Sequence, residues 1–341
     1  MVLEHLFPEN WLERRFGFAM LLGAGSSIIG ILLANLLFGA NSGLASVIFS
    51  SLLIIPSMYA MINSEERAEE KERKFSLKRL YVDNKGLIHA YVGIFFGVYL
   101  TYLLLSFAGT YFGWDVISMF QEQLFLDPAV QGRAVAFSFQ SLWSILHNNW
   151  WVLLACFGLS LLSGNGATFF IVWNASAWGA IFGMRAAAAS FVLGKSAIGS
   201  LLLMQAIVLP HVILEGGAYI LAGIAGAIIS SDIVSESKEM NKFLGLLLFG
   251  VLSFYVLNLL FSFISFLPVI ILLRMVTVLL LVYFLRSAFV DAKHREVFKY
   301  NFWLFVCALA LFIIGAIVET GVLSWSGTLH TLYSAAALFF A

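Results

Sequence analysis

The 341-residue chain is 61% hydrophobic and 11% charged, and its 19 basic residues are balanced by 19 acidic ones. Soluble domains run nearer half apolar and a quarter charged, so this composition excludes an ordinary soluble fold. Zero net charge excludes a nucleic-acid binder that works through a basic surface, and two isolated cysteines, Cys156 and Cys307, supply no disulfide framework and no CxxC pair.

Mean hydropathy is +0.96. Apolar runs close to the ~20 residues that cross a bilayer recur from end to end. The expected fold is an all-α, polytopic membrane helical bundle of about eight to ten spans, with a re-entrant or broken-helix centre. The first 15 residues, MVLEHLFPENWLERR, carry three glutamates and no compact basic stretch, unlike a cleaved signal peptide. They read as an interfacial segment leading into the first span.

Spans are predicted at 16–38, 43–62, 88–112, 150–163, 167–186, 198–230, 243–264, 268–286 and 301–323. The run SEERAEEKERK at 64–74 pairs Glu69 with Arg73 and Glu70 with Lys74 at i,i+4, which suits a solvated helical extension of the second span. In the long segment 113–149, Ile117, Phe120 and Leu124 form one apolar stripe, and Phe139, Leu142, Trp143 and Leu146 form another. Both read as amphipathic helices lying along the outer leaflet. The fourth span is too short to cross alone, so it either extends the helix before it or belongs to a re-entrant pair with the fifth.

Gly164-Asn165-Gly166 interrupts an apolar stretch, and the chain must turn there. Asn148 and Asn149 precede the fourth span, and Asn174 lies within the fifth. GxxxG spacings at Gly93/Gly97 and Gly179/Gly183 occur at about the frequency that this glycine content gives by chance. ASFVLGKS at 189–196 matches a relaxed phosphate-loop pattern, but Phe191, Val192 and Leu193 fill the loop and no strand precedes it. No HExxH, GxSxG or histidine–cysteine spacing is present, so no cofactor is implied and no particular metal is indicated.

The sixth span is long enough to be broken or strongly tilted, with Pro210 as the natural kink. His211 and Glu215 follow at i,i+4 and share one helix face, with Tyr219 a turn further on. A carboxylate at mid-membrane costs at least ~2.5 kcal/mol, so it must face the bundle interior. Gly216 and Gly217 let a helix or ligand come close. Three readings of this pair differ in chemistry. It could be a structural clamp bonded to the asparagines or to Arg185. It could be a site for a transported ion, lipid head group or small solute. It could be an acid–base pair for intramembrane hydrolysis, which lacks an obvious second carboxylate because Glu65 and Glu66 stand at a membrane edge and Glu319 is distant in sequence.

The order Asn148-Asn149, Gly164-Asn165-Gly166 and Pro210-His211-Val-Ile-Leu-Glu215 resembles the stage II sporulation protein M family. The opening LEHLFPENWLERR and the later IPSMYAMINSEE are similar to archaeal members. Motif-bearing similarity covers residues 90–230, and the last hundred residues match nothing in the family. Val212 stands where the family usually has glycine. The resemblance implies a polytopic scaffold or assembly component of an envelope-remodelling complex, not the hydrolase of that complex. Its partners would be the bilayer, other membrane or envelope proteins, and further copies of the chain. The expected organisation is an N-terminal segment with a two-span hairpin and charged loop (1–86), a family core (87–231) and C-terminal membrane helices (232–341).

Orientation follows from Lys and Arg. Seven of the nineteen fall in 63–86, and with nine crossings eight more fall on the same, cytoplasmic side, opposed by Arg133, Arg185 and Lys195, with Arg274 inside a span. The N-terminus is then inside and the C-terminus outside. A cysteine in place of Ser64 should react with an impermeant thiol reagent only from the cytoplasmic side, and one in place of Val130 only from outside. Labelling of both from one side would overturn this order.

Overall fold

Inside a bilayer every backbone N–H and C=O must find its partner within the protein, and the spans among the described residues meet that demand as helices. The computed structural model describes residues 12, 15–39, 42–69, 82, 84–114, 139–234, 267–289, 295–325 and 331–332. Among them are eight long helices: α1 Phe16–Phe38, α2 Gly43–Glu69, α3 Lys85–Phe112, α4 Phe139–Ser163, α5 Ala167–Leu193, α6 Ala197–Val234, α7 Leu267–Phe289 and α8 Arg295–Trp325. Seven are long and apolar enough to cross a membrane, and α7 contributes a shorter apolar stretch, Pro268–Leu279. The protein is an all-α, multi-pass membrane bundle. The predicted run 243–264, the interfacial segment before Leu12 and the stripe at Ile117, Phe120 and Leu124 lie outside the described residues.

Two expectations are resolved at α4. The stripe Phe139, Leu142, Trp143 and Leu146 does not form a separate surface helix; it makes the opening turns of α4, which continues to Ser163. Nothing between them breaks a helix: residues 147–151, His-Asn-Asn-Trp-Trp, contain neither proline nor glycine. The fourth and fifth spans are therefore full-length helices of 25 and 27 residues, and not a re-entrant pair. The turn between them is built by its glycines. Gly164 has φ +74°, a region L-residues avoid, and a Cβ on Gly166 would overlap the Leu159 carbonyl. The Ser160 hydroxyl then accepts the Ala167 N–H at 2.9 Å, capping α5.

The phosphate-loop look-alike is the end of α5. Gly194 adopts φ +61° as the helix cap, and the Lys195 N–H returns to the Ser190 carbonyl at 3.1 Å. α2 runs on to Glu69, beyond its apolar span Gly43–Ile62, as the charge pattern there predicts. α6 is 38 residues long and passes through Pro210 without interruption.

Lipid-facing helices gain little from burying one another's apolar surface, so close packing must hold them together. α3 is the hub of that packing, lying between α1 and α5. Both GxxxG pairs serve it. A Cβ at Gly97 would overlap the Met20 carbonyl of α1, and one at Gly179 would overlap the Tyr99 carbonyl of α3. Gly93 faces Ala19, and Gly183 faces Leu103 and Ser106. Three buried tyrosines of α3 add polar bonds: Tyr102 with Ser46 of α2 at 2.7 Å, Tyr91 with Thr168 of α5 at 3.3 Å, and Tyr99 donating to the Gln205 amide oxygen of α6.

The packing gives a paired prediction. Gly97→Ala should lower stability in detergent by about 1–3 kcal/mol, because the new methyl collides with backbone. Gly25→Ala, with nothing within 4 Å of its Cβ position, should be neutral or gain up to about 1 kcal/mol. Thermal unfolding of both variants checks the signs.

Candidate functional site

The polar face of α6 sits where three other helices meet it. α6 packs against α4, α5 and α8, and touches α3. Glu215 is 2% exposed and His211 7%, and Tyr219 is fully buried one turn beyond Glu215. The i,i+4 repeat brings all three to the interior.

Aromatic rings close around them. The Phe182 ring of α5 meets the His211 ring edge-to-face at 6.4 Å, and Trp178 stacks on Tyr219 at 6.2 Å. Phe95 of α3 packs on Trp178 at 6.0 Å and stacks on Tyr99 at 6.3 Å. Gly216 is the point where the Phe95 ring approaches α6: its Cζ stands 3.0 Å from the place a Cβ would occupy. Gly217 instead faces Leu311 of α8, at an ordinary 3.8 Å.

The fourth wall is α8. Gly315 fits directly under Glu215, whose Cγ would be 2.8 Å from a Cβ at that position. Leu311 lies beside Gly217, and Gly315 beside Glu215 and Leu214, so the two helices run antiparallel. Glu319, one turn past Gly315, therefore continues toward the level of His211. A carboxylate more than a hundred positions away in sequence thus comes to the α6–α8 face, level with His211 and one turn from Glu215. Its signal was available: Gly315 and Glu319 repeat on α8 the i,i+4 spacing of His211 and Glu215.

Not every polar atom here has a protein partner. His211 Nδ1 and the Tyr219 hydroxyl are buried without a hydrogen bond. Unpaired, such groups cost roughly 1–3 kcal/mol each. Pro210 lacks an N–H and so leaves the Ala206 carbonyl without its usual helical donor.

The asparagines do not join the seam. Asn148 is exposed and Asn149 half-buried on α4. The Asn174 side chain donates to the Phe170 carbonyl of its own helix at 2.7 Å. Asn165 is 4% exposed at the α4–α5 turn, with neither amide atom hydrogen-bonded. Gly164 and Gly166 shape that turn, away from His211. Arg185 is buried on α5 one turn past Phe182. Among the described residues no three His, Cys, Asp or Glu side chains gather to hold a metal ion.

Sequence reasoning passed over one further constellation. Arg274 of α7 lies 3.0 Å from His147 Nδ1 of α4 and places its guanidinium 5.6 Å from the Trp151 ring.

Compared with known proteins, the chain matches no family model, no curated protein and no solved structure.

The Gly315–Glu215 contact can be tested by a double-mutant cycle. Gly315→Ala should destabilise the protein by about 1–3 kcal/mol. Adding Glu215→Ala should recover part of that loss, with a coupling of about 0.5–3 kcal/mol. Strict additivity in detergent unfolding would mean that the two positions do not press on each other.

Proposed function

We propose that this integral membrane protein is a membrane scaffold or assembly component, acting in envelope remodelling as its resemblance to the stage II sporulation protein M family implies. The observation that carries the reading is the enclosure of Glu215. The residue is buried against Gly315, and rings from α3 and α5 pack on its neighbours His211, Gly216 and Tyr219, a setting that fixes helices against one another. In this reading the motif residues of α4, α5 and α6 build a rigid frame, and partners engage the frame from outside. The N-terminus lies in the cytoplasm and the C-terminus outside.

A second reading, a transporter or flippase-like protein, is favoured by one observation. His211 Nδ1 and the Tyr219 hydroxyl are buried and without hydrogen bonds on the same face as Glu215. Groups of that kind suit a water, a proton or a small polar solute held between helices.

Glu215 substitutions separate the two. A structural carboxyl is replaced well by an amide, so Glu215→Gln should keep detergent stability and restore function in a strain lacking the gene. Glu215→Leu should lose about 1–3 kcal/mol by stranding the polar groups around it. A Gln variant that folds normally yet fails to complement would overturn the scaffold reading and favour transport.

A further inference from the structure

Arg274 is a cation on an apolar helix, and the side chains around it face outward. Val269, Leu272 and Val276 of the same helix are exposed, which in a bilayer means exposed to lipid. On α4, Ser144 and Asn148 are exposed and Trp151 is 46% exposed, and all three share a face with His147. The guanidinium therefore sits at a seam between two helices on the outer surface of the bundle.

Its depth is set by the helices. Arg274 lies about two turns into α7 and His147 a little more than two turns into α4, roughly 10–12 Å from the helix starts at 1.5 Å per residue. The contacts with His147 and Trp151 hold the guanidinium at that level, short of the headgroup boundary, so a headgroup that meets it must be drawn inward along the exposed face.

The charge on Arg274 is not neutralised by the residues it meets. A guanidinium only donates, so its 3.0 Å bond to His147 runs from Nη1–H to Nδ1, and that imidazole must be neutral with its proton on Nε2. The Trp151 ring contributes its quadrupole and no counter-charge. Among the described residues Nε has no acceptor. One hydrogen bond to those residues is thus made out of five possible N–H donors. In low dielectric an uncompensated cation of this kind draws an anion toward it, and the nearest anions in a bilayer are lipid phosphates, which local thinning brings down to it.

We propose that Arg274, with His147 and the exposed Ser144–Asn148–Trp151 face of α4, forms a binding site for the phosphate of an anionic lipid headgroup. Arg274 supplies the charge and the fork of donors. The neutral His147 orients that fork through Nδ1 and leaves its Nε2–H as a further donor. Asn148 supplies an amide on the same exposed face, and Trp151 packs beside the glycerol and upper acyl region.

The full chain, purified in uncharged detergent, provides the test. Added phosphatidylglycerol should raise its thermal midpoint, phosphatidylcholine should raise it much less, and inorganic phosphate should leave it unchanged. Arg274→Gln should weaken the phosphatidylglycerol response by about tenfold in lipid concentration, and Arg274→Lys should weaken it less, because Lys keeps the charge but loses the fork. A photo-crosslinking residue in place of Leu272 should capture phosphatidylglycerol in preference to one in place of Ile314, an exposed position on α8. The crosslinking comparison holds even if Arg274→Gln does not fold. An equal shift from inorganic phosphate would overturn the lipid as the source. An unchanged response in Arg274→Gln, or equal capture at the two positions, would overturn the site itself.

Discussion

The bundle depends on how closely helices can approach α3. Lipid tails are as apolar as leucine, so the drive that builds a soluble core is largely missing, and contact distance has to replace it. Glycines supply that distance on both sides of α3, its own Gly93 and Gly97 toward α1 and the partner's Gly179 and Gly183 from α5. Once the backbones are that near, the tyrosines of α3 can reach Ser46, Thr168 and Gln205 on three different helices. The candidate site inherits this order. Phe95, stacked on Tyr99 of the hub helix, meets Trp178 edge-to-face, and Tyr219 stacks on Trp178.

Apart from those that bond between helices, the polar residues fall into two kinds. Ser50, Ser51, Thr101, Ser190, Thr277 and Thr320 return their hydroxyls to carbonyls of their own helices, and Asn174 does the same with its amide. Such residues are internally satisfied and need nothing from a ligand. His211, Tyr219 and Asn165 keep buried polar atoms that no local carbonyl satisfies. Residue type alone does not separate the kinds. Asn174 and Asn165 are the same residue type and differ entirely in their bonding.

Much of the architecture could be read from the chain. Apolar runs marked the spans, and the i,i+4 spacing of His211, Glu215 and Tyr219 placed one polar face on one helix. The fourth span was read too short because His147, Asn148 and Asn149 interrupt its hydropathy. The helix tolerates them, since Asn148 points outward and His147 is engaged by Arg274. The GxxxG pairs could not be told from chance by counting, because a motif becomes a contact only when another helix lies against it. Glu319 was set aside for its distance along the chain. Only the antiparallel contact of α8 with α6 brings it to the level of His211, one turn from Glu215. Long-range helix pairing is not written in local spacing, and it accounts for what the sequence withheld.

The length of α6 carries its own consequence. At 1.5 Å per residue its apolar stretch Ala197–Ser230, 34 residues, is about 51 Å long, against a hydrocarbon core of roughly 30 Å. Such a helix must lean, or the surrounding bilayer must thicken to meet it. Its inclination is then a function of membrane thickness. His211 and Glu215 lie near the middle of the helix, its C-terminal turns are packed on α4 through Gly226, and its N-terminal turns are exposed at Ile198 and Leu202, so a thinner bilayer would swing the N-terminal end and leave the seam near the pivot. Bilayer thickness would thereby alter which parts of α6 stand clear of the hydrocarbon while disturbing the buried carboxyl least.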